Sequence, residues 1–210
     1  MLNKYLKKII FLLFIVPFSN LYALEFDGSF IQGHFIIGKT DPKTMIWIDK
    51  KKIKVSKDGY FVFGIGRDRK YDVVITSKKD GITKKIIKKV KKRKYKIQRI
   101  DGLPEKKVTP PKEVYERIKR ENKIISDARS IESDLTFFKN KFIYPLENAI
   151  ITGVYGSQRI LNGKPKWPHY GVDFAAKEGT KIKAMLDGTA TMVEPDLFYT
   201  GGTLIFDHGH

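Results

Sequence analysis

The stretch that decides the fold of the C-terminal half runs Pro168-His-Tyr-Gly-Val-Asp-Phe174, in which His169 and Asp173 are four residues apart. An imidazole nitrogen and a carboxylate oxygen are donor types that Zn²⁺ accepts. On a flat strand the two residues would lie about 13 Å apart, too far for one ion. Pro168 and Gly171 disfavour a helix and let the chain fold back, so both side chains can point into one site. Spacing alone leaves two interpretations open: a metal-binding pair, or a histidine and an aspartate that hydrogen-bond each other.

The residues around this stretch, 142–210, have the composition of a β domain. Glycines separate short apolar runs throughout the segment, which favours short strands joined by tight turns. The last apolar run, Thr203-Leu-Ile-Phe-Asp207, is followed only by His208-Gly-His210. We therefore expect a second β domain that is begun and not finished within these 210 residues.

Residues 26–100 carry their own β pattern, rich in β-branched and aromatic residues. Turn signals recur at Asp27-Gly28, Asp58-Gly59 and Asp80-Gly81. Between them apolar and polar residues alternate, as in half-buried antiparallel strands. This pattern predicts a β-sandwich-like accessory module over residues 24–103.

Prolines at 104, 110 and 111 end the β pattern. From Lys112 to Asn140 the apolar residues recur at helical spacing, and the opposite face is charged, which predicts one long helix within a linker at residues 104–141. The predicted fold class is mainly β with one long linker helix, joining an N-terminal β-sandwich-like module to an incomplete C-terminal antiparallel β domain at residues 142–210.

The N-terminus has the pattern of a secretory leader. Lys4, Lys7 and Lys8 precede an apolar run from Ile9 to Phe18, which matches the basic and apolar regions of a signal peptide. The run is much shorter than the roughly 20 residues that span a bilayer. We predict a signal peptide at residues 1–23, and export to the periplasm or cell envelope. The protein would be membrane-associated if the leader is not cleaved.

The formal net charge is +18, and its densest stretch runs from Lys78 to Arg99. Such a field attracts anionic polymers and membrane surfaces. Alternatively, these lysines are the solvated face and edge of strands, because apolar residues interleave with them. Both interpretations stay open. Cysteine is absent, so the fold cannot depend on disulfides.

Several blocks of sequence become informative when they are taken in order. Tyr144-Pro145 and Ile151-Thr-Gly-Val-Tyr-Gly156 precede the stretch at 168–174, and Gly179-Thr-Lys-Ile-Lys-Ala184, Asp187-Gly-Thr-Ala190 and Gly201-Gly-Thr-Leu-Ile-Phe-Asp-His-Gly209 follow it. Together they resemble the catalytic domain of lysostaphin-type zinc peptidases, also called the LytM domain. Upstream, Asp58-Gly-Tyr-Phe-Val-Phe-Gly64 and Gln98-Arg-Ile-Asp-Gly-Leu-Pro104 resemble the accessory module and linker of one bacterial branch of that family.

This resemblance implies a zinc-dependent endopeptidase that cuts peptide cross-bridges of peptidoglycan, with Zn²⁺ as its cofactor and His169 and Asp173 as zinc ligands. It places the family's third ligand and its two catalytic histidines beyond the last strand of this chain, so no catalytic residue is assigned and hydrolysis by these 210 residues is not expected. His208 and His210 resemble an earlier turn of the family and not its closing His-x-His motif. His34 is expected to be structural.

Functions of two other classes stay open. One is a non-catalytic cell-wall binding or hydrolase-activating protein, against which the retained His169 and Asp173 argue, because degenerate relatives tend to lose them. The other is an exported basic module that binds anionic wall polymer or a membrane surface through Lys78 to Arg99. Nucleic acid is not expected as a partner, since the leader indicates export and the lysine run lacks an aromatic stacking platform.

Overall fold

The computed structural model describes residues 23–148 and 150–210, so all of the predicted signal peptide except Ala23 lies outside the described residues. Strands dominate, and helix α2 (Tyr115–Arg129) is the only described helix longer than one turn. This confirms the predicted class, mainly β with one long helix. Among the described helices, none combines the length and the apolar content needed to cross a bilayer.

The N-terminal half forms two antiparallel sheets that enclose one core. One sheet has the order β1 (Leu24–Asp27), β2 (Phe35–Thr40), β5 (Tyr60–Gly64), and the other has the order β4 (Lys51–Ile53), β3 (Met45–Ile48), β6 (Val73–Lys79), β7 (Ile82–Lys88). Side chains alternate between the core and the outer face of each sheet. The fully buried apolar residues are Ile36, Ile46, Phe61, Val73 and Ile75.

Gly38 on β2 lets the largest of these side chains enter the core. Gly38 lies opposite Phe61 of β5 in the sheet register. A Cβ atom at Gly38 would come within 2.0 Å of the Phe61 Cζ atom and within 2.5 Å of two further ring atoms. The Phe61 ring therefore packs directly on the β2 backbone, and a side chain at residue 38 would overfill the core.

The linker is helical over a shorter range than predicted. It contains the single turn α1 (Glu105–Val108), a 3₁₀ turn at Lys112–Val114, helix α2 and a second 3₁₀ turn at Phe137–Lys139. The prediction of one helix from 112 to 140 was too long at its C-terminal end. There, the Ser130 hydroxyl donates a hydrogen bond to the Asp127 carbonyl, and the Leu135 amide donates one to the Ser133 hydroxyl. Such local side-chain bonds compete with helical ones.

The C-terminal half contains three small sheets. Strand β9 (Ile150–Gly153) pairs with β12 (Asp173–Ala175), and β13 (Thr189–Leu197) pairs with β14 (Gly201–Asp207), both antiparallel. Several apolar side chains of these pairs are exposed, including Ile150 at 70% and Val193 at 67%. Two-stranded sheets are marginal alone, and here α2 packs on β13. The buried Glu121 carboxylate of α2 accepts a hydrogen bond from the Phe198 amide at 2.8 Å.

The third sheet joins the two halves of the chain. Strand β8 (Ile97–Ile100) runs parallel to β10 (Gln158–Leu161), which in turn pairs with β11 (Lys164–Pro165). The last strand of the predicted accessory module therefore lies in a sheet of the C-terminal half. A domain boundary at residue 103 stays a prediction.

Candidate metal centre

The backbone around the His169 loop brings the two candidate ligands to the same place. Gly156 donates its amide to the His169 carbonyl at 2.7 Å, and His169 donates its own amide to the Ser157 carbonyl at 2.8 Å. Four residues later, Asp173 opens β12 opposite Gly153. The chain thus folds back between the two ligands, in the way that Pro168 and Gly171 allow.

The His169 and Asp173 side chains meet directly. The His169 Nε2 atom lies 3.0 Å from the Asp173 Oδ1 atom, and the histidine side chain is only 11% exposed whereas the aspartate is 46% exposed. Two ligands of one tetrahedral zinc ion, each about 2.1 Å from it, are about 3.4 Å apart. The observed 3.0 Å is a hydrogen-bond distance, and it is within about half an ångström of the spacing of two ligands of one ion. Both interpretations of the sequence therefore agree with this geometry.

Two further residues contact the Asp173 carboxylate, and neither role was predicted from the sequence. The Arg159 guanidinium of β10 lies 3.2 Å from Asp173 Oδ2, so the second carboxylate oxygen already has a cationic partner. Gly153 leaves room for the same oxygen, because a Cβ atom there would lie 2.3 Å from Oδ2. Arg159 and Gly153 thus hold the carboxylate with Oδ1 towards His169.

The other ring nitrogen of His169 has no described partner. Nδ1 is buried and makes no hydrogen bond, and the same is true of Nε of Arg159. In zinc sites the second imidazole nitrogen almost always donates to a carboxylate, a carbonyl or water, which orients the ring. The donor types and spacing of His169 and Asp173 fit zinc, but no described protein group orients the imidazole.

No third metal ligand accompanies this pair within residues 23–148 and 150–210, where no group of three His, Cys, Asp or Glu side chains could hold an ion. His34 lies in a turn, where its amide donates to the Ile31 carbonyl. His208 Nδ1 lies 2.8 Å from the Asp187 carbonyl oxygen. His210 packs on Phe138 with 5.0 Å between ring centroids, and burial lowers its pKa from the usual histidine range. His208 also contacts Phe138, because its carbonyl accepts a hydrogen bond from the Phe138 amide at 3.1 Å, but neither His208 nor His210 joins His169 and Asp173 in a metal-binding group of the described residues.

An apolar cleft lies beside β12. Its lining includes Tyr144, Val172, Phe174 and Met185. Val172 and Phe174 flank Asp173 in sequence, so the cleft adjoins the segment that carries one of the two candidate ligands.

Comparison with known proteins bears on the fold. A crystal structure from Pseudomonas aeruginosa, of a protein assigned to peptidase family M23, superposes with a TM-score of 0.59 and covers 87% of this chain and 70% of its own. The two proteins share a fold. Sequence identity between them is 20%, so the likeness supports the LytM resemblance at the level of architecture. No family model and no curated protein matches the chain.

Proposed function

We propose that residues 142–210 belong to a zinc-dependent peptidase domain that acts on the peptide cross-bridges of peptidoglycan, with His169 and Asp173 as two of its zinc ligands. The observation that carries the proposal is the 3.0 Å approach of His169 Nε2 to Asp173 Oδ1 in a chain whose fold is like that of an M23 peptidase. The sequence blocks that resemble the LytM domain add support.

The protein groups in this proposal have separate tasks. His169 and Asp173 would hold the metal, and Arg159 and Gly153 would keep the Asp173 carboxylate in place. A bound Zn²⁺ acts as a Lewis acid on a peptide carbonyl and lowers the pKa of water. Two donors bind zinc much more weakly than three, and the described residues contain no group of three such donors. Hydrolysis by these 210 residues is therefore not expected.

Metal titration tests the proposed ligands. Co²⁺ added to the protein should give a weak visible absorption band, and Zn²⁺ should abolish it by competition. His169→Ala and Asp173→Asn should each remove the band. His34→Ala is the matched control, since His34 lies in a turn of the accessory module, and it should leave the titration unchanged. A band that survives both ligand variants would exclude this pair as the metal site.

A second test concerns the substrate. Activity of the native protein on purified peptidoglycan separates a peptidase from a non-catalytic wall-binding protein. The mass of the native protein, measured alongside, shows which length of chain is being assayed. Release of free amino groups that depends on His169 supports a peptidase. Binding to the polymer without any release, unchanged in His169→Ala, supports the non-catalytic wall-binding alternative.

A further inference from the structure

The two sheets of the accessory module have different outer faces. The outer face of the β1-β2-β5 sheet is partly covered by the linker. Phe142 packs on Phe35 with 5.6 Å between ring centroids, and the Lys139 ammonium lies 5.2 Å from the Tyr60 ring centroid. On the β4-β3-β6-β7 sheet, the outer face is solvent-exposed in the described structure. Its Ile87 side chain is 62% exposed and its Met45 side chain 38%.

A basic and aromatic row crosses this exposed face. Lys52, Trp47, Thr76 and Lys85 are successive partners in the register of β4, β3, β6 and β7. Residues opposite each other in a sheet point to the same face, and the neighbours of Trp47 in β3, Ile46 and Ile48, are buried in the core. At about 4.8 Å per strand, the row is about 14 Å long. We name this surface the Trp47 face.

The rows on either side add a further lysine and aliphatic side chains. Met45 pairs with Lys78 on one side, and Val74 pairs with Ile87 on the other. Among the described residues, no carboxylate pairs with Lys52, Lys78 or Lys85. The nearest acidic residues in sequence lie in turns at the strand ends, where Asp49 is bound by Arg69. The Trp47 face is therefore cationic and partly apolar.

We propose that the Trp47 face docks on an anionic lipid surface. Charge complementarity favours an anionic partner, because the rows carry Lys52, Lys78 and Lys85. The one carboxylate at the end of a row, that of Asp49 beside Val74, is bound by Arg69. The exposed Ile87 and Met45 side chains, with the indole between the lysines, favour a partner that is apolar just below its charged surface. Lysine and tryptophan side chains suit that boundary, since each has an apolar body and a polar tip. An anionic polysaccharide would match the lysines and leave the aliphatic groups unused.

Vesicle binding tests this proposal on the chain from Ala23 onward, which retains every described strand and helix. Binding is measured by co-sedimentation with vesicles of equal parts phosphatidylglycerol and phosphatidylcholine, and with phosphatidylcholine alone. The test variant combines Lys52→Gln, Lys78→Gln and Lys85→Gln. The matched control neutralises three exposed lysines of the same basic stretch that lie off the sheet, at positions 92, 94 and 96. Circular dichroism checks that both variants are folded.

The proposal expects binding to the anionic vesicles only, a loss on the order of 100-fold in the Trp47-face variant, and a much smaller loss in the control. In a Trp167→Phe background, which leaves Trp47 as the only tryptophan, its selectively excited emission should shift to the blue on binding. Equal losses in both variants would overturn the proposal in favour of diffuse attraction. An unshifted Trp47 emission would place the contact elsewhere. If the protein bound an anionic wall polymer more tightly than vesicles, and the Trp47-face variant lost that binding, the partner of the Trp47 face would be the polymer and not a lipid surface.

Discussion

The substitution Gly156→Ala tests the contact that holds the candidate metal centre against the accessory module. Gly156 has a φ of +87°, and a Cβ atom there would lie 2.1 Å from Cε1 and 2.2 Å from Cδ1 of the Tyr95 ring. Alanine in this left-handed conformation costs about 1–2 kcal/mol. Displacing the packed ring costs roughly 1–3 kcal/mol more. The free energy of unfolding should therefore fall by about 2–5 kcal/mol.

A second substitution separates these two costs. Tyr95→Ala removes the ring, together with its hydrogen bond to the Arg67 carbonyl and its stacking under the Arg67 guanidinium. In the double variant Gly156→Ala has no ring to displace and retains only the backbone cost. The coupling energy between the two substitutions should be about −1 to −3 kcal/mol, meaning that the double variant is more stable than the sum of the single losses predicts.

Urea unfolding of the wild type, the two single variants and the double variant measures this coupling. Tryptophan emission and far-ultraviolet circular dichroism should give coincident curves, which is needed to extract free energies. Co²⁺ titration of the same proteins then shows whether the His169 loop, which Gly156 holds through its amide, loses metal affinity in parallel. Additivity within about 0.5 kcal/mol would refute the reasoning, because it would mean that Gly156 and Tyr95 do not touch.

Three further substitutions test other contacts. The pKa of Asp58 is lowered to about 2, chiefly by the hydrogen bond from Lys139. The stabilisation from this carboxylate is complete above its unfolded pKa near 3.8 and is lost as the pH falls towards 2. Asp58→Asn should therefore flatten the pH dependence of urea unfolding between these two pH values. Gly38→Ala should destabilise the protein by about 1–3 kcal/mol because it displaces the Phe61 ring, and a thermal melt that matches wild type would contradict the core described here. Glu121→Ala should speed amide hydrogen exchange just after β13, where its carboxylate accepts a backbone bond; unchanged exchange would show that this bond does not protect the amide.

The architecture was predictable wherever it depends on local pattern. Alternation of apolar and polar residues predicted a β-sandwich in the N-terminal half, because only one face of each strand enters the core. Pro168 and Gly171 predicted that His169 and Asp173 could meet, because they exclude a helix and permit a fold back. Both conclusions needed only neighbours in sequence.

Contacts between residues that are distant in sequence could not be predicted from local patterns. The Arg159 guanidinium reaches Asp173 from a different strand, and nothing in its own neighbourhood distinguishes it from other surface arginines. Likewise, β8 pairs with a strand some 60 residues further on; four residues of alternating pattern do not specify a distant partner. The end of α2 was missed because Ser130 and Ser133 form local bonds that helical periodicity does not register.

The β8–β10 pairing constrains how such a protein could be assembled by recombination. A gene fusion that exchanged the accessory module at residue 103 would replace β8 as well, and β10 would receive a strand from a foreign parent. If that strand did not fit, β10 would present an unpaired edge, which invites aggregation. A fusion point upstream of Ile97 would instead leave β8 and β10 as strands of the same parent protein.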